Sequence, residues 1–348
     1  MEAALSARST RKWTAISGLA ALAIALAIAE LALGPVQIAP DRVLAALVGF
    51  GNDVENAIIW QIRLPRLVLG MAVGTALALS GAVLQGVLRN PLADPGIVGL
   101  TGGAALGAVS VIVLGGLVAG SLPLWLRPWL LPLAAFLGAS LVLAFIFALS
   151  SRRGGTSVAT LILAGVAVTA IAQAFIGALI YVSDDAQLRD LNLWLLGGLG
   201  SAGWPLVIVA SALTVATLPI LLQQARALDL FQLGERAAFH SGLDVERSKR
   251  RIGLAVALSV GAVTAAAGPI GFIGLVAPHL ARLAFGPRHD VLLPTSILTG
   301  ISLTLAADLA VRLAVPPAEP PIGLATNLIG GPFFLWLLLR KSGRRPHA

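Results

Sequence analysis

Long apolar runs, separated by short polar stretches, leave few folds open to this chain. They fall at about Trp13–Gly34, Leu67–Leu88, Ile97–Gly120, Trp129–Leu149, Val158–Tyr181, Trp204–Leu222, Ile252–Phe285, Val291–Val315 and Ile322–Leu339. A bilayer-spanning helix needs about 20 such residues, and runs that are continuously apolar rather than alternating favour helices over a barrel. Charged residues make up only 11% of the chain, against about a quarter in soluble domains. The expected fold class is therefore an all-α polytopic membrane protein, read as one transmembrane domain over residues 1–348. The first run follows Arg8, Arg11 and Lys12 as a signal peptide would, but it is long and lacks a clear cleavage site, so it reads as a retained span. With no cysteine, neither a disulfide framework nor a thiolate metal site can form. No metal or cofactor is expected.

The run Ile252–Phe285 is too long for one span, carries Gly268-Pro269 near its middle, and can hold two short spans. The count is then ten, which puts both termini on one side. Arg42, Arg63, Arg66, Arg127, Arg189 and Arg312 fall on the other side, and all the rest of the 24 lysines and arginines join the termini. The side rich in basic residues is cytoplasmic. Nine spans would put Arg340, Lys341, Arg344 and Arg345 outside. The net charge of +8 thus reports topology, and no nucleic-acid partner is expected.

One long polar island interrupts this pattern, Ala225 to Arg251, ARALDLFQLGERAAFHSGLDVERSKRR. Leu228, Phe231, Leu233, Ala237 and Ala238 recur at roughly helical spacing, which predicts short amphipathic helices outside the bilayer with an apolar face for something else. Gly234 and Gly242 should break the island into pieces. A solvated loop is the alternative, but it need not carry apolar residues at that spacing. Two further interruptions stand out, Asn90-Pro91-Leu92-Ala93-Asp94-Pro95-Gly96 and Gly268-Pro269-Ile270-Gly271-Phe272-Ile273-Gly274. Irregular backbone at membrane depth belongs inside protein or beside a cavity. Such breaks mark either a transport path or close helix packing through small residues.

Several separated motifs, in order, resemble the iron-chelate, heme and vitamin B12 permeases of binding-protein-dependent ABC importers. They are RLPRLVLGMAVGTALALSGAVLQGVLRNPLADPGIVGLTGGAALGAV from Arg63, LGERAAFHSGLDVERSKRR with GPIGFIGLVAPHLARL, and LLPTSILTGISLTLAADLAVRLAVPPAEPPIGLATNLIGGPFFLWLLL. The resemblance runs from Arg63 nearly to the end, while the first sixty residues match only as a generic span. It implies ten spans per subunit in the bundle of the vitamin B12 permeases, a homodimer with the path on its two-fold axis, and a place in the bacterial inner membrane. It also implies two ATP-binding subunits on the cytoplasmic side and a soluble periplasmic binding protein. The island would be the coupling segment, with Leu233, Gly234, Glu235, Arg236 and Gly242 as its contact with the ATPase. Arginines matching Arg63, Arg66 and Arg312 receive acidic residues of the binding protein in the family, a role guanidinium suits. The alternatives are anchoring of helix ends for Arg63 and Arg66 and, for Arg312, an ion pair with Asp308 four residues before it.

No G-x-x-x-x-G-K-[ST] pattern exists, and the only lysines are Lys12, Lys249 and Lys341, so this chain cannot cradle ATP phosphates by that route. It is read as a transport subunit, not an enzyme. An ion-coupled carrier would need ionisable groups within its spans, and Glu30 and Asp308 are the few acids on offer. The stretch Tyr181–Gly200 is an amphipathic periplasmic piece that resembles heme permeases more than cobalamin permeases. All four histidines, His240, His279, His289 and His347, fall on the cytoplasmic side of this topology. That leaves Met71 and Tyr181 as heme ligands near the spans and argues against histidine ligation in the path. A weakly binding apolar cavity is expected from the second, fifth and eighth spans. Gln85, Thr169, Gln173 and Phe175 are its candidate lining, each with interhelical bonding or packing as the alternative.

Overall fold

The protein is seen in a computed structural model that describes residues 2–342 apart from 97, 98, 153, 154, 157 and 317. Side chains are described except at 2–13, 118–119, 151–158, 336–338 and 340–342. In chain order the helices are α1 Glu2–Ala32, α2 Pro40–Leu47, α3 Asp53–Ala57, α4 Leu64–Leu88, α5 Leu100–Leu114, α6 Gly116–Ala119, α7 Leu130–Ser150, α8 Val158–Val182 and α9 Asp185–Leu196. They continue with α10 Trp204–Leu222, α11 Ala225–Gln232, α12 Glu235–His240, α13 Val245–Ala267, α14 Ile273–Phe285, α15 His289–Ala314 and α16 Ile322–Ser342. A π-helical turn, Ile58–Arg63, joins α3 to α4. Ser151 pairs antiparallel with Thr156 and Arg152 with Gly155.

Among the described residues, seven helical stretches are long and apolar enough to cross a membrane, and α5, α14 and the first part of α16 are shorter apolar helices. The ambiguous run is two helices. Between α13 and α14 the chain passes Gly268, at φ +71 where L side chains are strained, and Pro269. A side chain at Gly268 would also strike the Trp194 carbonyl. The Gly198 N–H donates to Ala267 O at 2.7 Å, tying the segment after α9 to the end of α13.

Almost every residue of α4 is buried, which makes it the post of the bundle. It packs on α15, α14, α13 and α10, and small residues set the approach. A methyl group at Gly74 would lie 2.6 Å from Gly300 O, and one at Gly81 would overlap Gly274 O. The two sequence breaks meet beside this post. A methyl at Gly274 would fall 2.8 Å from Asp94 Oδ2 and 3.1 Å from Pro95 Cδ. Within the first break Asp94 Oδ1 accepts from Gly96 N–H at 2.8 Å. Gln85 Nε2 reaches Ala93 O and Gly274 O, each at 3.4 Å. Packing between backbones, with Gln85 serving their freed carbonyls, accounts for this junction.

On the face away from the island, hereafter the far face, α9 is the amphipathic piece expected after Tyr181. Its capping box joins Gln187 N to Asp184 Oδ1 at 2.8 Å and Asp184 N to Gln187 Oε1 at 3.1 Å, and Leu191 is its buried anchor. The small helices α2 and α3 were not legible in the sequence. Asn52 caps α3, and Trp60 Nε1 donates to Ala46 O at 3.0 Å.

Candidate functional site: the island and the two ends of the bundle

The island folds as α11 and α12, with a turn at Gly234 (φ +105) between them and Gly242 (φ +83) closing the second. Leu228, Phe231 and Ala238 are fully buried against the bundle. In water each large apolar side chain so buried contributes about 2 kcal/mol. Polar ties reinforce the seat. Gln232 Nε2 donates to Gly86 O at 3.1 Å, and Asp229 Oδ1 accepts from His289 N at 3.2 Å and lies 2.6 Å from its Nδ1.

The five residues expected to contact an ATPase do not share one role. Leu233 is 72% exposed, and Arg236 and Gly242 also face outward. Gly234 supplies the turn. Glu235 points back and holds the buried Lys249 Nζ at 2.8 Å. Phe239, 66% exposed, was missed. Within α12 it follows the inward Ala238 by one residue, about 100° round the helix, and lies three residues from the outward Arg236.

At the far face Arg63, Arg66 and Arg312 are all buried, not exposed on a rim. Arg66 grips Asp308 with two bonds, Nε to Oδ2 at 2.7 Å and Nη2 to Oδ1 at 2.9 Å, and also holds Glu319. Arg312 donates to Glu30 Oε2 at 2.5 Å and Glu30 O at 3.1 Å. Arg63 donates to Leu31 O at 2.5 Å and to Val36 O. The spacing-based pair of Asp308 with Arg312 is therefore corrected. Asp308 turns to α4 and Arg312 to α1, because a bidentate partner on another helix satisfies a buried carboxylate better than a neighbour on its own. Glu30 and Asp308, the acids a carrier would need, are each paired with an arginine.

Between α9, the end of α13 and the start of α16 lies a far-face cavity of about 510 Å³, lined by Arg66, Asp190, Trp194, Ala267, Glu319 and Ile322 among others. None of Gln85, Thr169, Gln173 and Phe175 lines it. Gln85 is buried inside its own chain, where its Oε1 accepts from Arg282 Nη2 at 3.0 Å. Thr169 bonds back to Gly165 O at 2.8 Å and packs against Gly102. Gln173 and Phe175 stand on the exposed side of α8. Of the heme-ligand candidates, Tyr181 is exposed and Met71 partly so. His347, Arg344 and Arg345 lie outside the described residues.

The relatives of this chain agree with the architecture. The hemin transport system permease protein of Yersinia pestis is 47% identical over 294 residues, covering 84% of this chain and 86% of that protein. The vitamin B12 import system permease protein of Klebsiella pneumoniae is 40% identical over 343 residues, covering 98% and 97%. A solved structure described as a metal-chelate type ABC transporter in an inward-facing conformation superposes with a TM-score of 0.82 at 31% identity, covering 94% of this chain and 99% of that one. The model of the FecCD transport family matches residues 21–340. This chain is a member of the FecCD transport family.

Proposed function

We propose that the chain is the permease subunit of an ATP-driven, binding-protein-dependent importer that moves heme, or a related iron chelate, from periplasm to cytoplasm by alternating access. The observation that carries the reading is the island. It is anchored on one side by Leu228, Phe231 and Ala238 and offers Leu233, Arg236 and Phe239 on the other, in a chain without an ATP-binding pattern of its own. Two ATP-binding subunits would seat there, one on each copy of a homodimer in the inner membrane. The three shorter apolar helices would complete ten spans, with the island and both termini cytoplasmic. The whole chain acts as one transmembrane domain, and residues 225–251 are its coupling segment. The identity to the Yersinia pestis hemin permease supports heme over cobalamin.

On the periplasmic side the binding protein would dock around Arg63, Arg66 and Arg312. Because these guanidiniums are engaged internally, docking would work by exchange. A carboxylate from the binding protein would replace the half-exposed Glu319 on Arg66. Gln173 and Phe175, on the open side of α8, are the proposed path residues against the second copy.

Proteoliposomes holding this chain and its ATPase, with binding protein outside and ATP inside, test the reading with heme, a ferric siderophore and cobalamin. ATP-dependent accumulation of heme alone is expected. Movement of a siderophore or cobalamin instead would correct the substrate, and uptake indifferent to ATP but driven by an ion gradient would overturn the importer.

A further inference from the structure

A second cavity, of about 240 Å³, opens on the island face where α4, α11 and the turn from α14 to α15 converge. Gln85, Arg89, Asn90, Gln232, Arg282 and His289 line it, and its lining holds no carboxylate. Arg282 donates to the neutral Gln85 Oε1 at 3.0 Å. The Arg89 guanidinium makes no hydrogen bond or ion pair among the described residues. Arg89 also stands in left-handed backbone at φ 49, a conformation glycine or asparagine would adopt with less strain. His289 is 3% exposed. Its Nδ1 is engaged by Asp229 at 2.6 Å, and its buried Nε2 has no hydrogen-bond partner among the described residues. Arg282 is half-buried there with only a neutral amide for a partner, and Arg89 stands exposed at the rim with its charge unmatched. At the far face every such arginine has been given a carboxylate or carbonyl.

We infer that this cavity is a binding site for a phosphate group, either the headgroup phosphate of an anionic phospholipid or free phosphate. Arg89 and Arg282 grip its oxygens. Paired guanidiniums suit the several acceptor oxygens of phosphate. The filled site would join α4 and α14 directly to the base of α11, which Gln232 and Asp229 already seat. It rests on this chain alone and not on the identity of any transported substrate.

The test uses the full-length chain, stripped of lipid in a neutral detergent. Its melting temperature is read against inorganic phosphate, dihexanoyl phosphatidylglycerol and dihexanoyl phosphatidylcholine at matched ionic strength. A saturable rise is expected with phosphatidylglycerol, phosphate or both. Arg89→Gln, an exposed change that leaves the fold intact, should weaken the apparent affinity about tenfold through loss of one charge-assisted contact. A response to phosphatidylglycerol alone assigns the site to lipid, and a response to both assigns it to phosphate in general. The inference is overturned by no saturable rise, by an equal rise with phosphatidylcholine, or by a rise undiminished in Arg89→Gln and Arg282→Gln. It is also overturned if only the ATP-binding partner stabilises the chain through these arginines, which would make the occupant a protein carboxylate.

Discussion

At the far face Arg66 meets Asp308 at 2.7 and 2.9 Å and Arg312 meets Glu30, whereas at the island end Arg282 meets an amide and the Arg89 guanidinium meets no polar group among the described residues. Both clusters lie at ends of α4 and α15, so the helices are shared and the electrostatics are not. The far-face charges are matched within the chain, and they fasten α1, α4 and α15 to one another. The island-end charges are left over, as groups meant for something that arrives later. A buried arginine in this fold is therefore informative through its partner rather than through its depth.

The sharpest way to break that comparison is to remove a carboxylate from the matched end. Asp308→Leu should lower stability by about 3 to 5 kcal/mol, since it leaves Arg66 buried and short of its partner. Adding Arg66→Met should restore much of the loss, and thermal unfolding in detergent reads both. If the single change were harmless, the far-face cluster would not be a fastening. Phe231→Ala should cost about 3 kcal/mol by opening a hole under α11. The same melt checks it, and ATPase co-purification should fall with it.

A subtler change separates seating from contact. Leu233→Asp with Phe239→Asp should alter the melt by less than about 1 kcal/mol, because both side chains are exposed, yet abolish co-purification with the ATP-binding subunit. Glu235→Arg with Arg236→Glu should also uncouple the two. Part of that effect would come from losing the Lys249 tie, which Glu235→Gln alone would report. Smallest of all is the exposed pair of Arg42 with Glu55 at 2.7 Å. Arg42→Ala should cost no more than about 1 kcal/mol, and a larger loss in the melt would mean that α2 and α3 carry more of the far face than their packing indicates.

Much of this architecture was legible because hydrophobic runs and glycine breaks are local signals. The division of Ile252–Phe285 at Gly268-Pro269, the two helices of the island and the helix after Tyr181 all follow from composition over a few residues. Partner choice was not legible. Arg312 sits one turn from Asp308, but the pairing is decided by where α1 and α4 cross α15, and helix spacing along one chain does not encode that crossing. The bonding of Gln85 was not legible for a related reason. A polar residue in a span can face a path or serve a broken neighbour, and only the meeting of two distant breaks distinguishes them. The exposure of Phe239 follows from its place one residue after the inward Ala238 in α12.

The bond from Glu235 to Lys249 has a mechanical side. Lys249 belongs to α13, whose 23 residues make a rod of about 34 Å at 1.5 Å per residue. At the other end of that rod Ala267 receives the Gly198 N–H and forms part of the wall of the far-face cavity beside Trp194. A stiff rod transmits thrust better than bending. Under the proposed coupling, a push on α12 would be delivered lengthwise to that wall, and the stroke would need no relay of side chains to reach the opposite surface.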